Sequence, residues 1–373
     1  MHPIYLDYNA TTPIDPEAAA AMQPCLDDLF GNPSSSHMAG FQAKKAVDEA
    51  RKHVAGLIGA KPEEIVFTSG GTESNNHALK GIASAYRPRG RHIITSAIEH
   101  PAVTEVCHYL EKQGFSVTYL PVNEEGLVSV AGVEKAITTG TILISIMHAN
   151  NEVGTIQPIA EIAAIAARRA IIFHTDAAQT IGKIPVDVGE LGVDLLSIAG
   201  HKLYAPKGIG ALYIREGTVI EKFMHGAGHE LDRRAGTENL PGIVGLGAAF
   251  AVAKRDLSEN RDRMGKTRDL LFDLLQEKIP DIRLNGHLER RLPNTLSIGF
   301  RGIDATALVG DLASKDIAVS AGAACHAGVT TLSPTLAAMR VPIEYAQGTI
   351  RFSIGKATTR EEIEQAATAV AES

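Results

Sequence analysis

The stretch EIVFTSGGTESNNHALKGI (Glu64–Ile82) decides the fold. Its opening run, EIVFTS, is β-rich with an apolar centre, Ile65–Phe67, the composition of a strand in a covered sheet. Gly70 and Gly71 then break the strand, and a helical pattern follows through Asn76, Leu79 and Ile82. The same unit recurs. HIITS (His92–Ser96) precedes a predicted helix over Pro101–Gln113, and SVTYL, TILISIM, AIIFHTD, DLLSIAG and GALYIR follow with helix-like segments between most of them. Apolar strands separated by helices predict an α/β fold whose mostly parallel sheet is covered on both faces.

From about Leu240 the character changes. The run from Gly242 to Ile279 is helical in pattern and increasingly charged, and it predicts a helix pair leaving the first domain. Beyond it, DIRL, NTLSIGF, IAVS and TIRFSIG read as strands, with helices over Ala305–Ser314 and Thr359–Ala371. The expected division is a large domain over 14–255, with residues 1–13 as an N-terminal arm joining 256–373 in a smaller α+β domain.

Composition narrows the function. The 373 residues carry 36 Lys+Arg against 43 Asp+Glu, a formal charge of −7. A mildly acidic chain without a basic run offers no footprint for nucleic acid or an anionic membrane. The longest near-apolar run, Gly242–Ala253, is too short to span a bilayer. Cys25, Cys107 and Cys325 form no CxxC pair and no disulfide framework, as expected of a reducing, cytoplasmic setting. The histidines show no HExxH or paired metal-ligand spacing, so no metal is expected.

Open α/β sheets bind ligands past the carboxyl ends of their strands. Past EIVFTS lies Gly70-Gly71-Thr72-Glu73, a glycine turn that opens a helix. Its N–H groups and the Thr72 hydroxyl would suit a phosphate, although such residues also serve as plain helix caps. The lysine of a GxxxxGK[ST] loop is missing, which argues against nucleoside triphosphates. Past later strands lie the cluster His148–Glu152, then Asp176 with Gln179, then His201 and Lys202; His100 follows HIITSAIE. A phosphate cradle, a lysine, an acid and an imidazole on one sheet edge match the needs of pyridoxal 5′-phosphate.

At these residues the chain resembles the cysteine desulfurases of the fold-type I, class V aminotransferase superfamily. The resemblance runs through LDYNATTP (Leu6–Pro13), GNPSS (Gly31–Ser35), FTSGGTESNN (Phe67–Asn76), EHPAV (Glu99–Val103) and MHANNEVG (Met147–Gly154). It continues through HTDAAQ (His174–Gln179), GHKLYAPKGIGALYIR (Gly200–Arg215), GTEN (Gly236–Asn239) and RFSIG (Arg351–Gly355). It implies that Lys202 carries the cofactor, Asp176 pairs with the pyridine nitrogen and Gln179 meets the ring 3′-oxygen. His100 would stack on the ring and shuttle protons, and Gly71, Thr72 and His201 would hold the phosphate. Thr237 would reach in from the neighbouring subunit of a homodimer. Arg351, helped by Asn151, would bind the substrate carboxylate through its planar fork. One departure stands out: Ala199 occupies the place where such desulfurases commonly have a serine that touches the phosphate.

The segment SAGAACHAG (Ser320–Gly328) carries a lone thiol, Cys325. A free cysteine is most often a small buried hydrophobe, and Cys25 and Cys107 read that way. The resemblance gives Cys325 another role, as the catalytic cysteine of a mobile loop that takes sulfur from L-cysteine as a persulfide. The product would be L-alanine, with the sulfur passed on to an acceptor protein. Only the thiolate is nucleophilic, and His326 is the nearest cation by sequence. The loop Gly322-Ala323-Ala324-Cys325-His326 is also similar to that of selenocysteine lyases, so L-selenocysteine is the alternative substrate. A class V aminotransferase, which has no need of Cys325, and a non-catalytic cofactor-binding scaffold are the further alternatives.

Overall fold

The computed structural model describes residues 3–326 and 329–373. A short β1 (Ile4–Tyr5) opens the chain. The large sheet then uses β2 (Ile65–Thr68), β3 (His92–Ser96), β4 (Ser116–Leu120), β5 (Thr141–Ser145), β6 (Ile172–Asp176), β7 (Leu195–Ala199) and β8 (Gly210–Ile214). Its order is β2-β8-β7-β6-β5-β3-β4, parallel throughout except for β8, which runs against both β2 and β7. Successive side chains of a strand face opposite ways. Ile65, Ile94 and Leu196 accordingly enter one core while Val66, Ile93 and Leu195 enter another. Burial on both faces explains why these strands read as apolar runs, and the predicted α/β class is what the chain adopts.

The C-terminal part builds β9 (Ile282–Asn285), β10 (Thr295–Phe300), β11 (Ile317–Ala318), β12 (Ser320–Ala321), β13 (Ala323–His326), β14 (Val329–Leu332) and β15 (Thr349–Ser353). An antiparallel sheet runs β12-β15-β10-β9, β13 pairs with β14 as a hairpin, and β1 lies parallel to β11. The segment read as one strand, IAVS, is broken at Val319. Ala318 pairs with Tyr5 of the arm, whereas Ser320 pairs with Arg351. This sheet packs a core of its own that includes Ile4, Leu6, Leu271, Leu275, Leu296, Ile298 and Phe352.

The predicted helix pair after Leu240 is instead a single 39-residue helix, Leu240–Lys278. Two glycines near its start are close-approach sites. A Cβ on Gly247 would sit 2.5 Å from the Ala50 Cα, and one on Gly245 would sit 2.6 Å from the Met22 Sδ. Removing the side chain lets the helices Met38–Leu57 and Pro16–Met22 lie directly against the long helix. Among the described residues no helix is long and apolar enough to cross a membrane.

Candidate active site

The strand ends, the N-terminal arm and β15 together enclose a cavity of about 310 Å³. Gly71, Thr72, His100, Asn151, Asp176, Gln179, His201, Lys202 and Arg351 all line it. The residues expected from the sequence therefore meet in one place, with two exceptions. Thr237 lines a separate recess with Arg234, Gly236 and Glu238. The backbone of Cys325 lies in β13, opposite Thr330 of β14; its side chain, and that of His326, lie outside the described residues.

Lys202 sits on a single tight turn, Gly200–Lys202, directly after β7. A Cβ on Gly200 would meet the Ile209 carbonyl at 2.8 Å, so only glycine makes this turn against β8. The Lys202 Nζ donates to the carbonyls of Asn9 at 2.5 Å and Ala10 at 2.8 Å. Desolvation, reinforced by the Arg351 charge, lowers its pKa to about 8 against the opposing pull of Asp176 and Asp7. That places the amine close to a working base near neutral pH.

Asp176 ends β6, and its carboxylate is already engaged. It accepts from the Asn75 Nδ2 at 2.6 Å and from the Ala178 N–H at 2.9 Å. The Asn75 Oδ1 is buried without a partner among the described residues. The Gln179 Nε2 donates to the same Asn9 carbonyl that holds Lys202, at 3.1 Å. On its other side the Gln179 Oε1 accepts from the Nζ of Lys183, a buried residue that also donates to the Asn9 Oδ1 at 3.1 Å. Burial, with Lys202 and Arg351 adding to it, holds the Lys183 pKa well below the ordinary lysine value.

His100 caps the helix Pro101–Lys112, its Nδ1 accepting from the Ala102 N–H at 3.1 Å. Desolvation lowers its pKa, Lys202 acts the same way, and Asp176 and Glu152 oppose. Beside it Glu99 is buried and accepts from the Ser96 Oγ at 2.6 Å and the Met147 N–H at 3.0 Å. Burial pushes the Glu99 carboxyl up to about 8. It joins the end of β3 to the segment after β5, which fixes the loop carrying His100. His201, expected at the phosphate, has its pKa lowered to about 4 by desolvation and then by Lys202 and Lys207.

Arg351 lies on β15. Its Nη2 donates to the Asp7 Oδ1 at 2.7 Å and its Nη1 to the Asn151 carbonyl at 3.0 Å. Residues missed by the sequence reading thus include Asp7, Asn9, Asn75 and Lys183. Asn9 is the hub: its amide reaches the Asn151 carbonyl and the Thr295 Oγ1, and its Oδ1 accepts from Asn294 and Lys183. LDYNATTP carries no signal of this by itself, since Asp, Asn and Thr are ordinary residues for an exposed arm; the partners of Asn9 are all distant in the chain.

Comparison with known proteins agrees with this geometry. The family model described as aminotransferase class-V matches residues 4–366. A cysteine desulfurase IscS from Dictyoglomus turgidum is 51% identical over 360 residues, 96% of this chain and 91% of that protein. A solved structure titled NifS-like protein superposes with a TM-score of 0.93 at 40% identity, covering 99% of this chain and 98% of the other. Another, titled SspA in complex with cysteine, gives a TM-score of 0.84 at 38% identity over 95% of this chain and 100% of the other.

Proposed function

The chain belongs to the class-V aminotransferase family, and on that premise we propose that it is a pyridoxal 5′-phosphate-dependent cysteine desulfurase. One observation carries the reading: Lys202, Asp176, His100 and Arg351, drawn from distant parts of the sequence, line a single cavity. The relatives named as cysteine desulfurases, and the neighbour titled as a complex with cysteine, support cysteine as the substrate.

The residues present fit the cofactor. The helix Gly71–Tyr86 opens at the cavity with no side chain capping its first turn, so its N–H groups are available to a phosphate. Thr72 and His201 add donors beside it. A Cβ on Gly71 would lie 3.1 Å from that of Ala199, so glycine keeps the cradle floor open. Ala199 itself offers no hydroxyl, so a phosphate here would rest on the remaining donors. Asp176, held by Asn75 and Ala178, would keep a proton on a pyridine nitrogen. The Gln179 amide N–H₂ group, one hydrogen of which goes to the Asn9 carbonyl, would offer the other to the ring oxygen. In a homodimer, Thr237 of the other subunit would add a further donor to the phosphate site.

When bound, the cofactor supplies an electron sink for the substrate Cα. Arg351 binds the α-carboxylate of L-cysteine, and Asn151 lies beside it. Lys202, with its lowered pKa, removes the Cα proton, and His100, which lines the same cavity, moves protons. The Cys325 thiolate attacks the substrate Sγ. An S–S bond forms as the substrate Cβ–S bond breaks. The electron pair stays with the carbon skeleton, which takes up a proton at Cβ and one back at Cα to give L-alanine, and the persulfide remains on Cys325. An acceptor protein then takes the outer sulfur. We further propose that residues 14–255 form one domain and that 1–13 with 256–373 form the second. Separate cores support the division, although Leu336, Met339, Val341 and Ala346 pack with the larger one.

The test is alanine release by wild type and Cys325→Ala on L-cysteine and L-selenocysteine, side by side. Turnover of cysteine that the substitution abolishes is the expected result. Selenocysteine as the sole good substrate would make the chain a selenocysteine lyase, and cysteine turnover that survives Cys325→Ala would end the desulfurase reading.

A further inference from the structure

The hairpin that carries Cys325 is tied at both feet. At the leading foot Ser320 pairs with Arg351, and the Gly322 N–H donates to the Thr349 carbonyl at 2.8 Å. No side chain fits at Gly322, where a Cβ would lie 2.8 Å from the Thr349 Cγ2. This foot is therefore fixed to the strand of the carboxylate-binding arginine.

The trailing foot has a different anchor. Ser333 caps the short helix Pro334–Ala338, accepting from the Thr335 N–H at 3.1 Å and the Leu336 N–H at 3.4 Å. Its hydroxyl proton goes to Glu152, at 2.5 Å, and the Thr335 Oγ1 donates to the other Glu152 oxygen at 2.9 Å. Ser333 and Thr335 are buried, and Leu336 and Met339 behind them are fully so. Glu152 is held just as firmly from below. Its N–H and that of Val153 both donate to the Oδ1 of buried Asn150, each at 2.9 Å, and the Asn150 Nδ2 reaches the Ile98 carbonyl at 3.0 Å. Asn151, next in the chain, lines the cavity and accepts from Arg351.

We propose that Glu152 is a positioning residue: its carboxylate clamps the trailing foot of the Cys325 hairpin to the loop that forms the cavity wall. The inference rests on the assignment of Cys325 as sulfur acceptor. A carboxylate suits the task because it only accepts, and here it meets two hydroxyl donors with one oxygen each. The consequence is a separation of duties. Substrate binding and Cα proton removal depend on Arg351 and Lys202, while delivery of the thiol depends on where the hairpin is rooted.

The experiment uses the cofactor-loaded enzyme with Glu152→Ala, Glu152→Gln, Ser333→Ala and the Glu152→Ala/Ser333→Ala pair. Three quantities are read: kcat and KM for alanine formation from L-cysteine, Cα proton exchange of L-alanine in D₂O, and the rate at which iodoacetamide alkylates Cys325, followed by mass spectrometry. Exchange needs the cavity but not the thiol. Loss of two hydrogen bonds to a charged group predicts a fall of about tenfold in kcat for Glu152→Ala. KM and exchange stay within about twofold, and the alkylation rate of Cys325 changes severalfold. Glu152→Gln, which sets a donor against one of the two hydroxyls, recovers only part of kcat. The pair loses less than the sum of the two single changes, because Ser333→Ala removes one of the same contacts as well as the helix cap. Exchange falling in parallel with kcat would place the effect in the cavity and overturn the proposal, as would an unchanged kcat or full additivity of the pair. Cys325→Ala runs alongside: if it still forms alanine, the desulfurase reading fails, and the alkylation rates alone then decide whether Glu152 roots the hairpin.

Discussion

Replacing Asp7 by asparagine examines how the anion site is poised. Arg351 and Asp7 meet at 2.7 Å with side chains only 11% and 20% exposed. The Arg351 Nε has no partner among the described residues. An incoming α-carboxylate must therefore share this guanidinium with a carboxylate already in place. Two like charges about 4 Å apart repel by about 4 kcal/mol at an effective dielectric of ~20. The guanidinium between them and partial exposure to solvent reduce the net effect to about 1 kcal/mol. Asparagine keeps an acceptor oxygen for the Arg351 Nη2 and removes only the charge. The KM for L-cysteine is then expected to fall about fivefold, with kcat nearly unchanged, and propionate should become a correspondingly better competitive inhibitor. Initial rates of alanine formation at low and high salt measure both, and the difference from wild type should shrink as salt rises. A severalfold increase in KM, with weaker propionate inhibition, would refute the argument: Asp7 would then be needed to hold Arg351 in place, and its charge would not be restraining anion affinity.

Two further predictions concern the lysines. In the cofactor-free protein Lys202 should titrate with a midpoint of about 8, read as the pH dependence of its acetylation by mass spectrometry; a midpoint near the ordinary lysine value of about 10.4 would contradict the burial argument. Asp176 raises this pKa, so Asp176→Asn should move the midpoint to lower pH. Lys183→Met keeps the apolar stem and leaves the Gln179 Oε1 without its donor, whereas the Asn9 Oδ1 retains Asn294. Cofactor affinity, measured by equilibrium dialysis, should fall about tenfold as the Gln179 amide loses its fixed orientation. The Tm of the cofactor-free protein should hold steady or rise, because burying an amine that prefers to be charged opposes folding; a clear drop in Tm would make Lys183 a structural residue instead.

Much of the fold was legible because its signals are local. Most strands of the large sheet are apolar at their centres, and after β2 and β3 a helix start, Gly70-Gly71 and His100-Pro101, announces itself within a few residues. The cavity residues at strand ends, Asp176, Lys202 and His100 among them, follow from the general geometry of open parallel sheets. What failed was the expectation of a helix pair after Leu240, which is one continuous helix. In Gly242–Ala253 glycine, which ends helices elsewhere, is present because Ala50 and Met22 come too close for a side chain, and no property of the segment itself distinguishes those two uses. The Cys325 segment is a similar case. Its small residues imply a loop, yet its backbone pairs as the β13–β14 hairpin.

The polar residues that organise the site were hidden for a deeper reason. Lys183 in IGKIPVD looks like an ordinary surface lysine, and Glu152 looks like a solvated acid after two asparagines. Each becomes informative only through a partner far away in the chain: Lys183 through Asn9, Glu152 through Ser333 and Thr335. Asn9 reaches its place because β1 pairs with β11, a two-residue ladder that neither segment specifies alone. Once there it binds Lys202 and Gln179 from the large sheet, and Thr295 and Asn294 from the small one. The base, the cofactor's expected partners and the carboxylate-binding arginine are thus brought into register by an arm with almost no secondary structure of its own. Its polar side chains are satisfied only when both sheets are in place, so the site takes shape together with the contact between them.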